Sequence, residues 1–309
     1  MIVTVTLNPM LDKTVAVDRL RRGEIHRATK IDCVVGGKGV NVARQLQRFG
    51  VATIATGLLG GEVGEQLARL LTAEGLEHDF FRIAGMTREG VTYREPDNTW
   101  TAVFEPPHQV TAREAEELVL HCSRLLSGAA WVVCSGSSPC PETEGTYARI
   151  ITAAQGHGCK TYLDSYGTAF RQALHTRPTV VQCNRAELAA SFGKPVATDR
   201  GLRDAMAEII AGGVGMVIVT DGSRPAFAAQ GKAMWKVLPP SVKPVNPTGS
   251  GDCLAAGVLR ELDNARSFAS ALRYGAAAGA ANATRWDVAA VSTREIEEIA
   301  PTIRIEELT

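Results

Sequence analysis

The sequence has no excess of charge of either sign: 33 Lys and Arg residues balance 33 Asp and Glu in a chain of 309. That balance excludes a general pull toward nucleic acid or an anionic membrane, so any anion must be met by local groups. No apolar run reaches membrane-spanning length. The first residues, MIVTVTLNPMLDK, lack the basic lead and long apolar core of a secretory signal, and their alternating Val and Thr predict a strand instead. The seven cysteines (33, 122, 134, 140, 159, 183 and 253) are odd in number and form no C-x-x-C pair. This argues against a zinc site or a disulfide framework and fits a reducing, cytoplasmic setting. The six histidines show no metal-binding spacing, and no G-x-S-x-G hydrolase elbow is present.

What is present is an ordinary globular composition, 45% apolar and 21% charged. Short apolar strands alternate with helical stripes. Strands are expected at Ile2–Leu7, Val51–Leu58, Trp131–Cys134, Thr161–Leu163, Thr179–Gln182 and Met216–Thr220. Helices are expected at Gly39–Phe49, Val63–Glu74, Thr143–Gln155, Arg185–Phe192 and Leu202–Ile210. Another helix opens at Thr111, where Glu114 three residues on completes a capping-box spacing, and ends by Gly128. The small-residue run Tyr274–Ala283 predicts a close-packed helix. This alternation predicts a mostly parallel sheet covered on both faces, with ligands at the carboxyl ends of its strands. Two polar, β-rich stretches, 14–35 and 90–104, break the pattern and suit a small second sheet, or lid.

The strongest local signal is Asn246-Pro-Thr-Gly-Ser-Gly-Asp252 running into an apolar helix from Leu254. Glycines let the backbone turn tightly, and the N–H groups of the helix start form an anion site. Asp252 beside an anion site suits a base that takes a proton from an attacking alcohol. A Gly-rich turn with an acidic residue in the first helical turn accounts for the same residues equally well.

The second signal, Val35-Gly-Gly-Lys-Gly-Val-Asn-Val-Ala-Arg44, lacks the Ser or Thr that follows the lysine of a Walker loop. Asn41 in its first helical turn could bind sugar hydroxyls, or the segment is a plain strand-to-helix turn. Gly57-Leu-Leu-Gly-Gly-Glu-Val-Gly64 imitates a dinucleotide fingerprint with the wrong spacing, and a structural turn is the better reading. Asp12 lies just past the first strand. Asn184 and Glu187 form N-x-x-E after another strand, suiting either a magnesium ion held through water or a helix cap. Arg88 suits a bidentate phosphate clamp.

Taken in order, TLNPMLDKT, GGKGVNVAR, TGLLGGEVG, Thr87-Arg88, FEPP, SGSSPCP, Asn184-x-x-Glu187 and NPTGSGD resemble the ribokinase-like (phosphofructokinase B) sugar kinases nearly end to end. The similarity is strongest to the branch of 1-phosphofructokinase, tagatose-6-phosphate kinase and the minor 6-phosphofructokinase. The resemblance implies one domain over 1–309, a three-layer α/β/α sandwich with a β-sheet lid. It implies Asp252 as catalytic base and Gly249, Ser250 and Gly251 as the anion hole. Asp12, Gly37, Lys38 and Asn41 would hold the sugar, with Arg88, joined by Arg27 from the lid, on its phosphate. Asn184 and Glu187 would organise MgATP, Glu187 meeting Mg²⁺ through water. Thr220 and Gly222 would line the nucleotide site, and Asn282 would lie near the adenine. A homodimer through the lid is a further implication.

The chain departs from the family pattern at Gln182-Cys183-Asn184, where Lys-Pro-Asn is usual, and at Ser138-Pro139-Cys140-Pro141, where Leu-Pro-Pro-Gly is usual. The leading expectation is a hexose-phosphate kinase making a bisphosphate, fructose 1-phosphate being the first candidate. Tagatose 6-phosphate, fructose 6-phosphate and an unphosphorylated sugar are the alternatives. A non-catalytic sugar-phosphate sensor would have no need of Asp252. A dinucleotide-dependent oxidoreductase rests only on the imperfect Gly57–Gly64 match.

Overall fold

The computed structural model describes residues 1–97, 99–193 and 196–308. The first elements are β1 (Ile2–Thr6), β2 (Met10–Ala16), β3 (Lys30–Gly36), α1 (Lys38–Arg48), β4 (Thr53–Gly60), α2 (Gly61–Ala73), β5 (Phe81–Ile83), β6 (Arg88–Arg94) and β7 (Trp100–Phe104). There follow α3 (Ala112–Leu125), β8 (Trp131–Ser135), α4 (Thr146–Gly156), β9 (Lys160–Asp164), α5 (Gly167–Leu174), β10 (Val180–Asn184), α6 (Arg185–Phe192), α7 (Asp199–Ala211) and β11 (Met216–Asp221). The chain ends with β12 (Arg224–Gln230), β13 (Ala233–Leu238), α8 (Ser250–Asp263), α9 (Phe268–Ala283), α10 (Thr293–Ile299) and β14 (Arg304–Leu308).

Ten strands form one sheet in the order β14-β13-β12-β11-β10-β9-β8-β1-β4-β5. From β5 to β11 neighbouring strands run parallel, and β12 to β14 extend the sheet antiparallel. Alternate residues of the central strands feed two cores, as the two-residue period of a strand requires. Val3, Val5, Val132, Leu163, Val181 and Val217 pack on the face covered by α3 to α7. Ile2, Trp131, Val133, Tyr162, Val180 and Ile218 pack on the face covered by α1, α8, α9 and α10. This is the expected three-layer sandwich, with its parallel strands buried on both sides.

A separate four-stranded sheet, ordered β3-β2-β6-β7, forms the lid. It begins earlier than the sequence pattern suggests, at Met10 and Arg88, so Asp12 and Arg88 lie on lid strands rather than in loops. The polar alternation of Met10–Ala16 reflects a strand with little of its surface buried. Register pairs Met10 with Arg88 and Asp12 with Gly90, placing Met10, Asp12 and Arg88 on one lid face. The end of β6 touches the main body, where the Arg94 guanidinium lies 3.8 Å from the centre of the Trp286 ring.

The Gly57–Gly64 segment is structural. Gly57 lies in β4 at φ 141°, and a Cβ there would stand 1.9 Å from the Thr6 carbonyl oxygen. Among the described residues, no helix is long and apolar enough to cross a membrane.

Candidate active site

The carboxyl ends of β1, β8, β9, β10 and β11 open into a cleft of about 1140 Å³ beneath the lid. Its floor is set by two helix starts. At one, α8 begins after Gly249, whose φ of 78° and missing Cβ are both required, because a Cβ would stand 2.3 Å from Cγ1 of Val288. The N–H groups of Gly249, Gly251 and Asp252 have no protein acceptor among the described residues, and they form a donor nest at a helix N-terminus. The Ser250 N–H is different, since it closes a turn onto the Pro247 carbonyl at 3.1 Å. The Ser250 N–H is therefore not among the open donors of the nest, whereas that of Asp252 is.

Asp252 is buried at the base of the nest. Its Oδ2 accepts from Nδ2 of Asn41 at 2.7 Å, while Oδ1 of Asn41 accepts from Arg44 at 2.9 Å. Arg44 can only donate, so it fixes which end of the Asn41 amide faces the carboxylate. Asn41 was expected at the sugar; it lines the cleft, and its amide nitrogen lies on the Asp252 carboxylate. Burial and the nearby Asp164 carboxylate raise the Asp252 pKa to about 7, against the opposing effects of Lys38 and the Asn41 hydrogen bond. A carboxylate poised near neutrality is suited to general-base work.

Gly37, at φ 137°, precedes the second helix start and lines the cleft, as do Lys38 and Asn41. Lys38, also expected at the sugar, carries ion pairs of its own. Its Nζ bridges Oδ1 of Asp164 at 3.0 Å and Oε1 of Glu187 at 3.2 Å. Burial works against its charge, yet Asp164, Glu187 and Asp252 hold its pKa well above the usual lysine range. Asp164, absent from the expected site residues, is thus a member of the charged cluster. Its signal was a polar residue at the end of an apolar strand.

Asn184 and Glu187 form the capping box of α6: the Glu187 N–H donates to Oδ1 of Asn184, and the Asn184 N–H to Oε2 of Glu187, both at 2.8 Å. Both residues also line the cleft, so the cap and a place at the site coexist. Among the described residues no three His, Cys, Asp or Glu side chains converge on a point that could hold a metal directly. Two carboxylates sharing one ammonium suit a hydrated Mg²⁺ reached through water better than a dehydrated ion.

Thr220 and Gly222 line the far end of the cleft, whose wall includes Ala226, Val237, Ala276, Gly279 and Ala280. This apolar slot fits a flat aromatic base. Asn282 is not on that wall. It is buried beneath the nest, donating to the Thr248 carbonyl at 2.8 Å and to Oγ of Ser250 at 3.2 Å, and accepting from the Ala289 N–H at 2.9 Å. It braces the loop because it ties Thr248 and Ser250 to Ala289 in the segment after α9.

At the opposite end lie polar atoms without protein partners. They are Oδ1 of Asn8 and Nε of Arg88, whose residues line the cleft, and, on the same lid face as Arg88 but off that lining, Oδ1 of Asp12. Burial raises the Asp12 pKa and lowers that of Arg88. No carboxylate pairs with Arg88 among the described residues. Asn8 donates to Oγ of Ser137 at 3.0 Å. Arg27 does not reach the cleft in this chain; it is exposed on the connection between β2 and β3.

A donor nest with a buried carboxylate, an apolar slot on one side and unpaired polar groups on the other is suited to holding an anion between two ligands. Residues 5–294 match the pfkB family carbohydrate kinases. The chain belongs to that family. It is 32% identical to the tagatose-6-phosphate kinase of Staphylococcus epidermidis over the full length of both chains. Among solved structures it resembles the phosphofructokinase-2 of Escherichia coli with potassium, with a TM-score of 0.91 and 27% identity, covering 97% of this chain and 98% of that one. The same E. coli enzyme in complex with fructose-6-phosphate gives a TM-score of 0.87 and 28% identity, with the same coverage. The ribokinase-like fold of this carbohydrate kinase, with its large mostly parallel sheet and small separate lid, agrees with these likenesses.

Proposed function

We propose that this carbohydrate kinase transfers the γ-phosphoryl group of MgATP to a hydroxyl of a ketohexose monophosphate, giving a bisphosphate. The observation that carries the reading is Arg88, a half-buried guanidinium at the cleft with no carboxylate partner among the described residues and a buried, unsatisfied Nε. A neutral sugar would leave that charge uncompensated, whereas a phosphate meets it with paired hydrogen bonds. Asn8 and Asp12 offer acceptors for sugar hydroxyls beside it. Asp252 takes the proton of the attacking hydroxyl, and the N–H groups of Gly249, Gly251 and Asp252 receive the transferred phosphoryl. Thr220 and Gly222 lie along the nucleotide. Mg²⁺, when bound, would supply charge neutralisation on the phosphates, and Glu187 and Asp164 would hold its water shell.

Fructose 1-phosphate is the first substrate in this reading. Tagatose 6-phosphate is the second, favoured by the full-length relative of that name. ADP release measured across fructose 1-phosphate, fructose 6-phosphate, tagatose 6-phosphate and free fructose tests the proposal. At least one phosphosugar should exceed its free sugar in kcat/KM by about 10- to 100-fold or more, the worth of charge-assisted hydrogen bonds. Equal use of phosphorylated and free sugar would overturn the phosphosugar assignment, and no ADP release with any sugar would favour a sensor.

A homodimer through the lid belongs to the same proposal. The lid leaves Ile31 and Val103 more than half exposed on one face, and Trp100 and Phe104 likewise on the other. Exposed apolar groups on both faces of a small sheet suit a partner. A cytoplasmic location is supported by seven free cysteines, six of them buried.

A further inference from the structure

Gln182 lies at one of the departures from the family pattern noted in the sequence, and its side chain has a definite set of partners. It lies on β10 with 3% of its surface exposed, next to Asp164 in register and on the face that meets α8. Its Nε2 donates to the Gly251 carbonyl at 2.9 Å, and its Oε1 accepts from the Tyr162 hydroxyl at 2.5 Å. The Gly251 carbonyl can only accept, so the amide nitrogen must face it and Oε1 must face Tyr162. Tyr162 is fully buried, and burial raises its pKa well above the usual tyrosine value, so its hydroxyl stays a donor.

The partner carbonyl belongs to the peptide that links Gly251 to Asp252. A trans peptide is planar, with its C=O and N–H pointing in opposite directions. Holding the Gly251 carbonyl from behind therefore aims the Asp252 N–H at the cleft. That N–H is one of the three open donors of the nest, and the same residue bears the base. We propose that Gln182, anchored by Tyr162, is a positioning residue that fixes the Gly251–Asp252 peptide and thereby aligns an anion-hole donor and the base. Gln182 acts through that peptide and is not itself required to touch the reacting atoms. The inference rests on the kinase reading above.

The test compares the parent with Gln182→Met, Tyr162→Phe and the double variant in steady-state kinetics with MgATP and the preferred phosphosugar. Gln182→Met keeps length and burial but removes both hydrogen bonds. It should lower kcat by about 10- to 100-fold, less than the 10²–10³ typical of deleting an anion-hole donor, since the donor is misaimed rather than lost. KM for both substrates should stay within about twofold, because the contact serves the transition state. Tyr162→Phe removes no atom from the cleft wall and should lower kcat by about 3- to 10-fold, the worth of one hydrogen bond. In the Gln182→Met background, Tyr162→Phe should have no further effect on kcat, since its only route is through Gln182.

Unchanged kcat in Gln182→Met overturns the proposal. A loss confined to KM for ATP overturns it too, and makes Gln182 a nucleotide contact. Additive losses in the double variant mean two independent packing effects and also overturn it. If Gln182→Met does not fold, Tyr162→Phe alone decides by its split between kcat and KM. Failure of the parent to turn over any sugar would instead strike at the kinase reading.

Discussion

Asn41 holds Asp252 through a 2.7 Å hydrogen bond between residues 211 positions apart in the chain, joining the starts of α1 and α8 into one unit. The bond favours the charged form of the carboxylate, while burial and Asp164 oppose it, and the balance raises its pKa to about 7, as the proposed base role requires. Asp252→Asn should therefore lower kcat by about 100-fold or more with little change in KM, general-base work being worth about 10²–10⁴. The parent should lose kcat/KM as pH falls through about 7.

The same carboxylate has a stability signature of opposite sense. Its pKa rises from 3.8 to about 7 on folding, so between those values the folded chain binds more protons than the unfolded one. Stability from this group is therefore lost as pH rises through that window. Asp252→Asn should melt higher than the parent at pH 8, and the difference should shrink toward pH 4. Equal melting temperatures at all pH values would mean that Asp252 ionises without penalty.

Lys38→Met leaves Asp164 and Glu187 without their shared cation. The Asp252 pKa should rise further, because Lys38 is one of the groups that lower it. The acid limb of the pH–rate profile should move above that of the parent. A limb that stays in place would show that Lys38 and the base are electrostatically independent.

Arg88→Ala should weaken the phosphosugar by about 10- to 100-fold, mainly in KM, and leave free-sugar kinetics near those of the parent. Arg88→Lys should recover only part, since an ammonium lacks the planar fork. Equal small shifts for both sugars would make Arg88 a passive lid residue.

Glu187→Gln keeps an oxygen to accept from the Asn184 N–H, so the cap of α6 should persist. The variant should need more Mg²⁺ for half-maximal activity, and the parent should lose turnover in excess chelator. An unchanged Mg²⁺ titration would remove Glu187 from the ion's water shell.

The parallel half of the sheet was legible because its strands are buried on both faces and read as continuous apolar runs. The antiparallel extension was not. β12, RPAFAAQ, draws its buried positions largely from alanine, which carries little strand signal. α5 was missed because eight residues give only about two turns of periodicity. Helix α4 begins at Thr146 rather than Thr143, because Pro141–Thr143 forms a separate 3₁₀ turn.

At the site, NPTGSGD and GGKGVN announced two helix starts aimed at a ligand, and both line the cleft. Their partners could not be read, since pairing depends on which strand ends the sheet brings together. Hence Lys38 meets Asp164, Asn41 meets Asp252, and Asn282 braces a loop rather than lining a wall. Arg27 shows the converse: a basic residue in a lid connection carries no sequence mark of whether it turns toward its own cleft or away.

The position of β1 has a consequence for how the protein is made. The first strand of the chain lies inside the sheet between β4 and β8, and the cleft it helps form is completed only by α8. While the chain is being synthesised, Lys38 and Asn41 emerge long before Asp252 exists, so the N-terminal half must wait with half of a charged cluster unmatched. Long-range closure of this kind slows folding and exposes intermediates. Enzymatic competence should be among the last properties a refolding chain acquires, arriving after its helices and after most of its sheet.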